Sequence, residues 1–320
     1  MAELKIAVRV DSLGGVTPSA TSLRRALSWV ASTGATSVEL CGRRLLNVSE
    51  LSDTAVRTLR KILDDLNLRV SSIRYPTRHG FDYLPDLDRR IDATKAAMHA
   101  AYRLGAPLVV NQIGPVPAPP PLAGTAASQP SRGVSTSGGL PEGLSLAEAQ
   151  AWVAGISGAT ESGELSRPGG QPVDPRWDTM REVLDDLGRY GAKIGSFFAA
   201  ETGTEPGEYL ARLLDTSSES YVAAALNPGQ LIINRHSVSE AVAALGDRIR
   251  IVNAVDGVLD LSAGRGIAVP VGQGTTDFPS LIGQLEDIPY RGPFVVGRSE
   301  MPIETAAAEI AQSVEYLRNL

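Results

Sequence analysis

The chain has 320 residues, of which 43% are apolar and 21% charged, the balance of a water-soluble globular protein with one large core. A formal net charge of -6 argues against broad attraction to phosphate backbones or anionic lipid, so neither a nucleic-acid nor a membrane partner is expected. A single cysteine, Cys41, excludes an internal disulfide and a thiolate metal cluster, and reads as a small buried thiol at a strand end. The opening "MAELKIAVRV" lacks the apolar run of a signal peptide, and no stretch is long and apolar enough to span a bilayer, so a cytoplasmic location is expected.

Strand-like apolar runs alternate with amphipathic helical runs. In chain order the strands are "KIAVRV" from Lys5, "SVELC" from Ser37, "RVSSIRY" from Arg69, "PLVVNQI" from Pro107, "KIGSFFAAE" from Lys193, "YVAAAL" from Tyr221, "RIRIVNAVD" from Arg248 and "GPFVVGR" from Gly292. Between them lie segments such as "SLRRALSWVASTG" and "TAVRTLRKILDDLN", with apolar residues every three or four positions. Gly34, Gly105, Gly191 and Gly246 stand where helix stops belong. Strict alternation with short apolar strands predicts a parallel sheet covered by helices, and eight units is the number that closes into a (β/α)8 TIM barrel. An open doubly wound sheet is the alternative, weakened because no GxGxxG follows the first strand.

Residues 114–172 break the alternation with a Pro/Gly/Ser-rich text, read as an insertion after strand four within a single 1–320 domain. It is expected to be a poorly ordered loop, a lid or a subunit-contact arm, with Ser145 and Glu148 forming a capping box for "SLAEAQAWV".

Several pieces carry a resemblance. "GATSVELCG" with Glu39, "AAYRLGAPLVV", "ETG" at Glu201, "NPGQ", "IVNAVDG" and "VPVGQGTTDFPSLIGQLEDIPYRGPFVVGRSE" resemble, in order and spacing, the xylose-isomerase-like TIM barrels, which include sugar-phosphate isomerases and epimerases and family 2 AP endonucleases. The resemblance implies a divalent metal held by glutamate, aspartate, histidine and glutamate after strands five to eight. Here Glu201 keeps the first position, while Asn227 replaces the aspartate, Gln230 a nearby histidine, Asn253 the ligand histidine, and Gly297 falls where the last glutamate belongs. Neutral amides bind Mg²⁺ or Mn²⁺ weakly, so no cofactor is expected and a metal site is disfavoured. With only His79, His99 and His236, the zinc-dependent DNA-repair branch fits poorly.

In place of a cation the sequence offers Arg9, Arg74 and Arg298 at strand ends, able to offset Glu201, Glu39 and Asp256. The loop "VGQGTTD", residues 271–277, suggests an anion site at a helix start. The resulting expectation is a sugar or sugar-phosphate isomerase or epimerase. Glu201 takes a proton beside a carbonyl, and His79, Glu300 or Asp256 returns it. Arg9, Glu39, Arg74, Asn111, Asn227, Gln230, Asn253 and Arg298 would contact the sugar. The alternative is a non-catalytic barrel that keeps a carbohydrate pocket lined by the neutral amides Asn111, Gln112, Asn227, Gln230 and Asn253. A homo-oligomer is compatible with either.

Overall fold

The computed structural model describes residues 4–121, 174–260, 264–298, 301 and 304–320. Glu300 and the segment 122–173, with its expected cap at Ser145, lie outside the described residues. Ten strands are present among them: β1 Ile6–Arg9, β2 Ser37–Cys41, β3 Arg69–Arg74, β4 Leu108–Gln112, β5 Phe197–Glu201, β6 Val222–Leu226, β7 Ile249–Ala254, β8 Asp256–Val258, β9 Ile267–Val269 and β10 Phe294–Val296. Eight of them close a barrel in the order β1-β10-β7-β6-β5-β4-β3-β2, every pair parallel. The expected TIM barrel is therefore the fold, formed by Met1–Pro119 with Asp174–Leu320.

The helices are α1 Ala20–Ser32, α2 Asp53–Asp65, α3 Leu87–Leu104, α4 Pro175–Ile194, α5 Gly207–Thr216, α6 Pro228–Ile233, α7 Val238–Leu245, α8 Phe278–Asp287 and α9 Ala306–Arg318. Short polar side chains set their starts: Ser19, Ser52, Asp174, Ser237 and Asp277 each accept an orphan backbone N–H of the first turn. Each buries one stripe; in α2 it is Val56, Leu59, Ile62 and Leu63. Gly191 proves not to be a stop. The helix α4 continues to Ile194 and ends at Gly195, whose φ of 77° is the left-handed cap, whereas Gly191 is buried inside the helix where a Cβ would lie 2.5 Å from the Ser196 carbonyl oxygen.

The run "RIRIVNAVD" also divides differently from expectation. Its barrel part stops at Ala254, and Asp256–Val258 turns away to pair antiparallel with Ile267–Val269.

Within the barrel, Ala7, Leu108, Val110, Ala199, Ala223, Ala225, Ile251 and Val295 pack against one another. Side chains alternate along a strand, so the next inward positions toward the carboxyl ends are Arg9, Gln112, Glu201, Asn227, Asn253 and Gly297. A polar layer thus caps an apolar one at the end of the barrel where βα loops gather.

Candidate active site

The polar layer is one hydrogen-bonded chain across the barrel. Ser72 Oγ donates to Glu39 Oε2 at 2.8 Å, and Arg9 Nε donates to Glu39 Oε1 at 2.6 Å. Arg9 Nη2 donates to Asn253 Oδ1 at 3.2 Å, and Asn253 Nδ2 donates to Glu201 Oε1 at 2.6 Å. Asn227 Nδ2 donates to the same oxygen at 2.8 Å, while Arg74 Nη2 lies 3.5 Å from Glu201 Oε2. Arg9, Glu39, Glu201, Asn227 and Asn253 are buried, and Arg74 is 14% exposed. Two guanidiniums and two carboxylates cancel, so the layer carries no net charge. Burial works against the charge of Arg9, but Glu39 and Glu201 outweigh it and hold its pKa above the usual arginine value.

The amides have a specific task here. Asn253 accepts from a guanidinium with one end and donates to a carboxylate with the other, which an aspartate there would not do. Asn227 is fixed by its backbone as well: its N–H reaches Thr202 Oγ1 at 2.8 Å and its Oδ1 caps α6 through the Gln230 N–H at 3.1 Å. Gln230, half-buried one turn into α6, enters this contact through its backbone.

Other expected residues stand elsewhere. Asp256 is fully buried, and its carboxylate accepts backbone N–H groups from Gly257, Gly272, Gly274 and Thr276 at 2.8 to 3.1 Å. Those amides belong to the loop expected to hold an external anion, so an internal carboxylate fills that role. Asp256 fastens a loop and is not poised for proton transfer. Arg298 pairs with Glu309 of α9 at 2.9 Å, away from Glu201. His79 is exposed, its ring centroid 4.4 Å from that of Tyr83. Asn111 is buried on the outward side of β4, where its Nδ2 donates to Thr77 Oγ1 at 3.0 Å and ties down the loop after β3. Its neighbour Gln112, level with Glu201 in the β4–β5 register, presents an exposed amide at the mouth.

Gly297 has φ of 117°, and a Cβ there would meet Ser12 Oγ at 2.9 Å and Arg9 Cβ at 3.2 Å. The β1 loop fills the space of a side chain. Gly297→Ala should destabilise the fold by about 1–3 kcal/mol, read as a lowered urea midpoint, because both backbone and contact resist it. An unchanged midpoint would show that the loop yields freely.

Two acidic groups were not singled out by the sequence. Asp11 follows β1, with 11% of its side chain exposed and Oδ1 buried without a hydrogen bond. Glu205, after β5, is 5% exposed; its Oε1 accepts from the Gly203 N–H at 3.1 Å and its Oε2 is buried without a partner. Burial raises the pKa of both, against Arg9, Arg44 and Arg74 for Asp11 and against backbone N–H groups for Glu205.

Residues 27–320 match the family described as xylose isomerase-like TIM barrel. Comparison with curated proteins gave no match. Among solved structures, the chain is similar to a xylose isomerase domain protein from Planctomyces limnophilus, at TM-score 0.71 and 16% identity, covering 99% of this chain and 97% of that one. It is similar to a D-allulose 3-epimerase from a Methylomonas species in complex with D-allulose, at TM-score 0.64, 16% identity, and 99% and 97% coverage. A third is a xylose isomerase-like TIM-barrel protein from Mycobacterium smegmatis in complex with magnesium, at TM-score 0.63, 16% identity, and again 99% and 97%. On the closed parallel barrel and on a family match that spans most of the sequence, this chain belongs to the xylose isomerase-like TIM-barrel family.

Proposed function

We propose that the chain is a sugar isomerase or epimerase that moves a proton at the carbon beside a carbonyl, with the guanidinium of Arg74 serving where relatives place a divalent cation. The observation that carries this reading is the fixing of Glu201 at the carboxyl end of β5 by Asn227, Asn253 and Arg74. Oε1 already accepts two amide donors, so the proton would be taken at Oε2, beside the guanidinium. As the C–H bond breaks, its electrons move onto the carbonyl oxygen, and a fixed N–H donor of Arg74 stabilises that charge as it forms. Gln112 and Gln230 supply amides for sugar hydroxyls.

The donors fit a hard divalent cation poorly. Asn227 Oδ1 caps a helix, Asn253 Oδ1 faces Arg9, Gly297 has no side chain, and two guanidiniums already balance the carboxylates. Among the described residues no group of three or more His, Cys, Asp or Glu side chains is arranged to hold a metal ion. No step is therefore routed through a metal.

The reading is tested by ¹H NMR of D-allulose, D-fructose and their phosphates incubated with the protein in heavy water, with and without EDTA. Loss of the proton signal beside the carbonyl, unaffected by EDTA, is expected. Exchange abolished by EDTA and restored by Mn²⁺ would overturn the metal-free mechanism. Binding without exchange would leave the second reading, a non-catalytic carbohydrate-binding barrel, which is favoured by the saturation of Glu201 Oε1.

A further inference from the structure

Moving a proton off one face of a carbon and onto the other needs two groups, one on each side. Glu201 is the first. Of the three partners expected from sequence, Asp256 is enclosed by backbone amides, His79 lies at the surface with its ring tilted against Tyr83, and Glu300 lies outside the described residues.

We propose that Asp11 is the second proton-transfer group, facing Glu201 across the mouth of the barrel, which makes the chain an epimerase. This rests on the reading above and names its missing partner. Three observations support it. In the closed ring, β1 and β5 are separated by three strands in either direction, so Asp11, just past β1, and Glu201, at the end of β5, stand on opposite sides of the axis. Asp11 Oδ1 is buried and makes no hydrogen bond, so its lone pairs or proton are uncommitted, whereas Oδ2 lies 3.6 Å from the exposed Arg44. The adjacent Ser12 Oγ, packed against Gly297, is likewise buried without a partner, so the polar atoms of this turn are not satisfied within the chain.

The groups acting on Asp11 come from three strands and a loop: Arg9 from β1, Glu39 and Cys41 from β2, Arg44 from the following loop and Arg74 from β3. Burial outweighs the arginines and raises the Asp11 pKa above the ordinary aspartate value, with Glu39 pushing the same way. A raised pKa favours the proton-donating form of Asp11, the role that inversion requires of the group opposite Glu201.

The step balances. Glu201 Oε2 takes the proton, the C–H electrons form an enediolate, and Asp11 delivers its proton to the opposite face as the carbonyl reforms. Glu201 ends protonated and Asp11 ionised; exchange with water resets both, so product formed in heavy water carries one deuterium.

Asp11→Asn in the full chain separates the steps, using D-allulose and D-fructose in heavy water. Interconversion of the two epimers should fall about 10²-fold or more, while exchange into recovered substrate persists through Glu201 alone. Interconversion at the wild-type rate would overturn the role of Asp11 and leave the proton-transfer reading standing. Wild-type protein that binds these sugars without exchange would remove that reading, and with it this one.

A second readout needs no activity. In ¹³C-aspartate-labelled protein, the resonance missing from Asp11→Asn should titrate above the ordinary aspartate value. Because the folded state binds this proton more tightly than the unfolded chain, stability should decline as pH rises from the ordinary aspartate value through the raised one, and less so in the variant. Titration at or below the ordinary value would overturn the assignment.

Discussion

Replacing Arg9 with methionine is expected to lower the free energy of unfolding by about 3–5 kcal/mol, the largest loss from any single substitution in the polar layer. Arg9 and Glu39 are 3% and 0% exposed and meet at 2.6 Å, so the variant leaves a carboxylate in the barrel with only Ser72 as donor. The same change frees Asn253 Oδ1, whose other end holds Glu201, and the loss spreads along the chain of bonds. The double variant Arg9→Met with Glu39→Met removes both charges and should recover most of the stability, because two paired buried charges contribute little net over apolar groups of similar size. Urea unfolding of the four proteins in the cycle measures it. Additive losses in the double variant would show that the two residues act independently.

How far this site was legible from the sequence depends on the range of the interactions involved. The barrel was readable because strand and helix periods are local, and four of the polar-layer residues were legible too, Arg9 and Arg74 as arginines near strand ends and Glu39 and Glu201 through the family resemblance. Side-chain alternation puts one of Asn111 and Gln112 inward, but only the register against β5 decides that it is Gln112. Asp256 looked like a strand-end carboxylate because the amides that enclose it lie up to 20 residues further on, in a loop whose path the sequence does not fix. Asp11 carried no signal at all. An aspartate in a loop is ordinarily solvated, and this one is 11% exposed with its Oδ1 buried. Gly191 misled for the opposite reason: a glycine near a helix end resembles a stop, and here packing against the Ser196 carbonyl needs it four residues early.

The second large effect concerns the electrophile. Arg74→Ala should reduce proton exchange about 10²–10³-fold in kcat, the loss typical when a fixed donor to a developing oxyanion is removed. Stability should fall by less than in Arg9→Met, because Arg74 is partly exposed, its contact with Glu201 is a long 3.5 Å, and Asn227 and Asn253 continue to hold Oε1. Arg74→Lys should recover only part of the rate, since an ammonium restores the charge without the planar fork that reaches a carboxylate and a carbonyl oxygen together. A kinetic loss larger than the thermodynamic one is the mark of a group that works in the transition state, and it distinguishes Arg74 from Arg9, whose charge serves the fold. Rates from heavy-water exchange and urea midpoints on the same preparations give both numbers. If Arg74→Ala exchanges at the wild-type rate, the guanidinium does not carry the developing charge. The proposal that it replaces a cation would then fail whatever the role of Glu201.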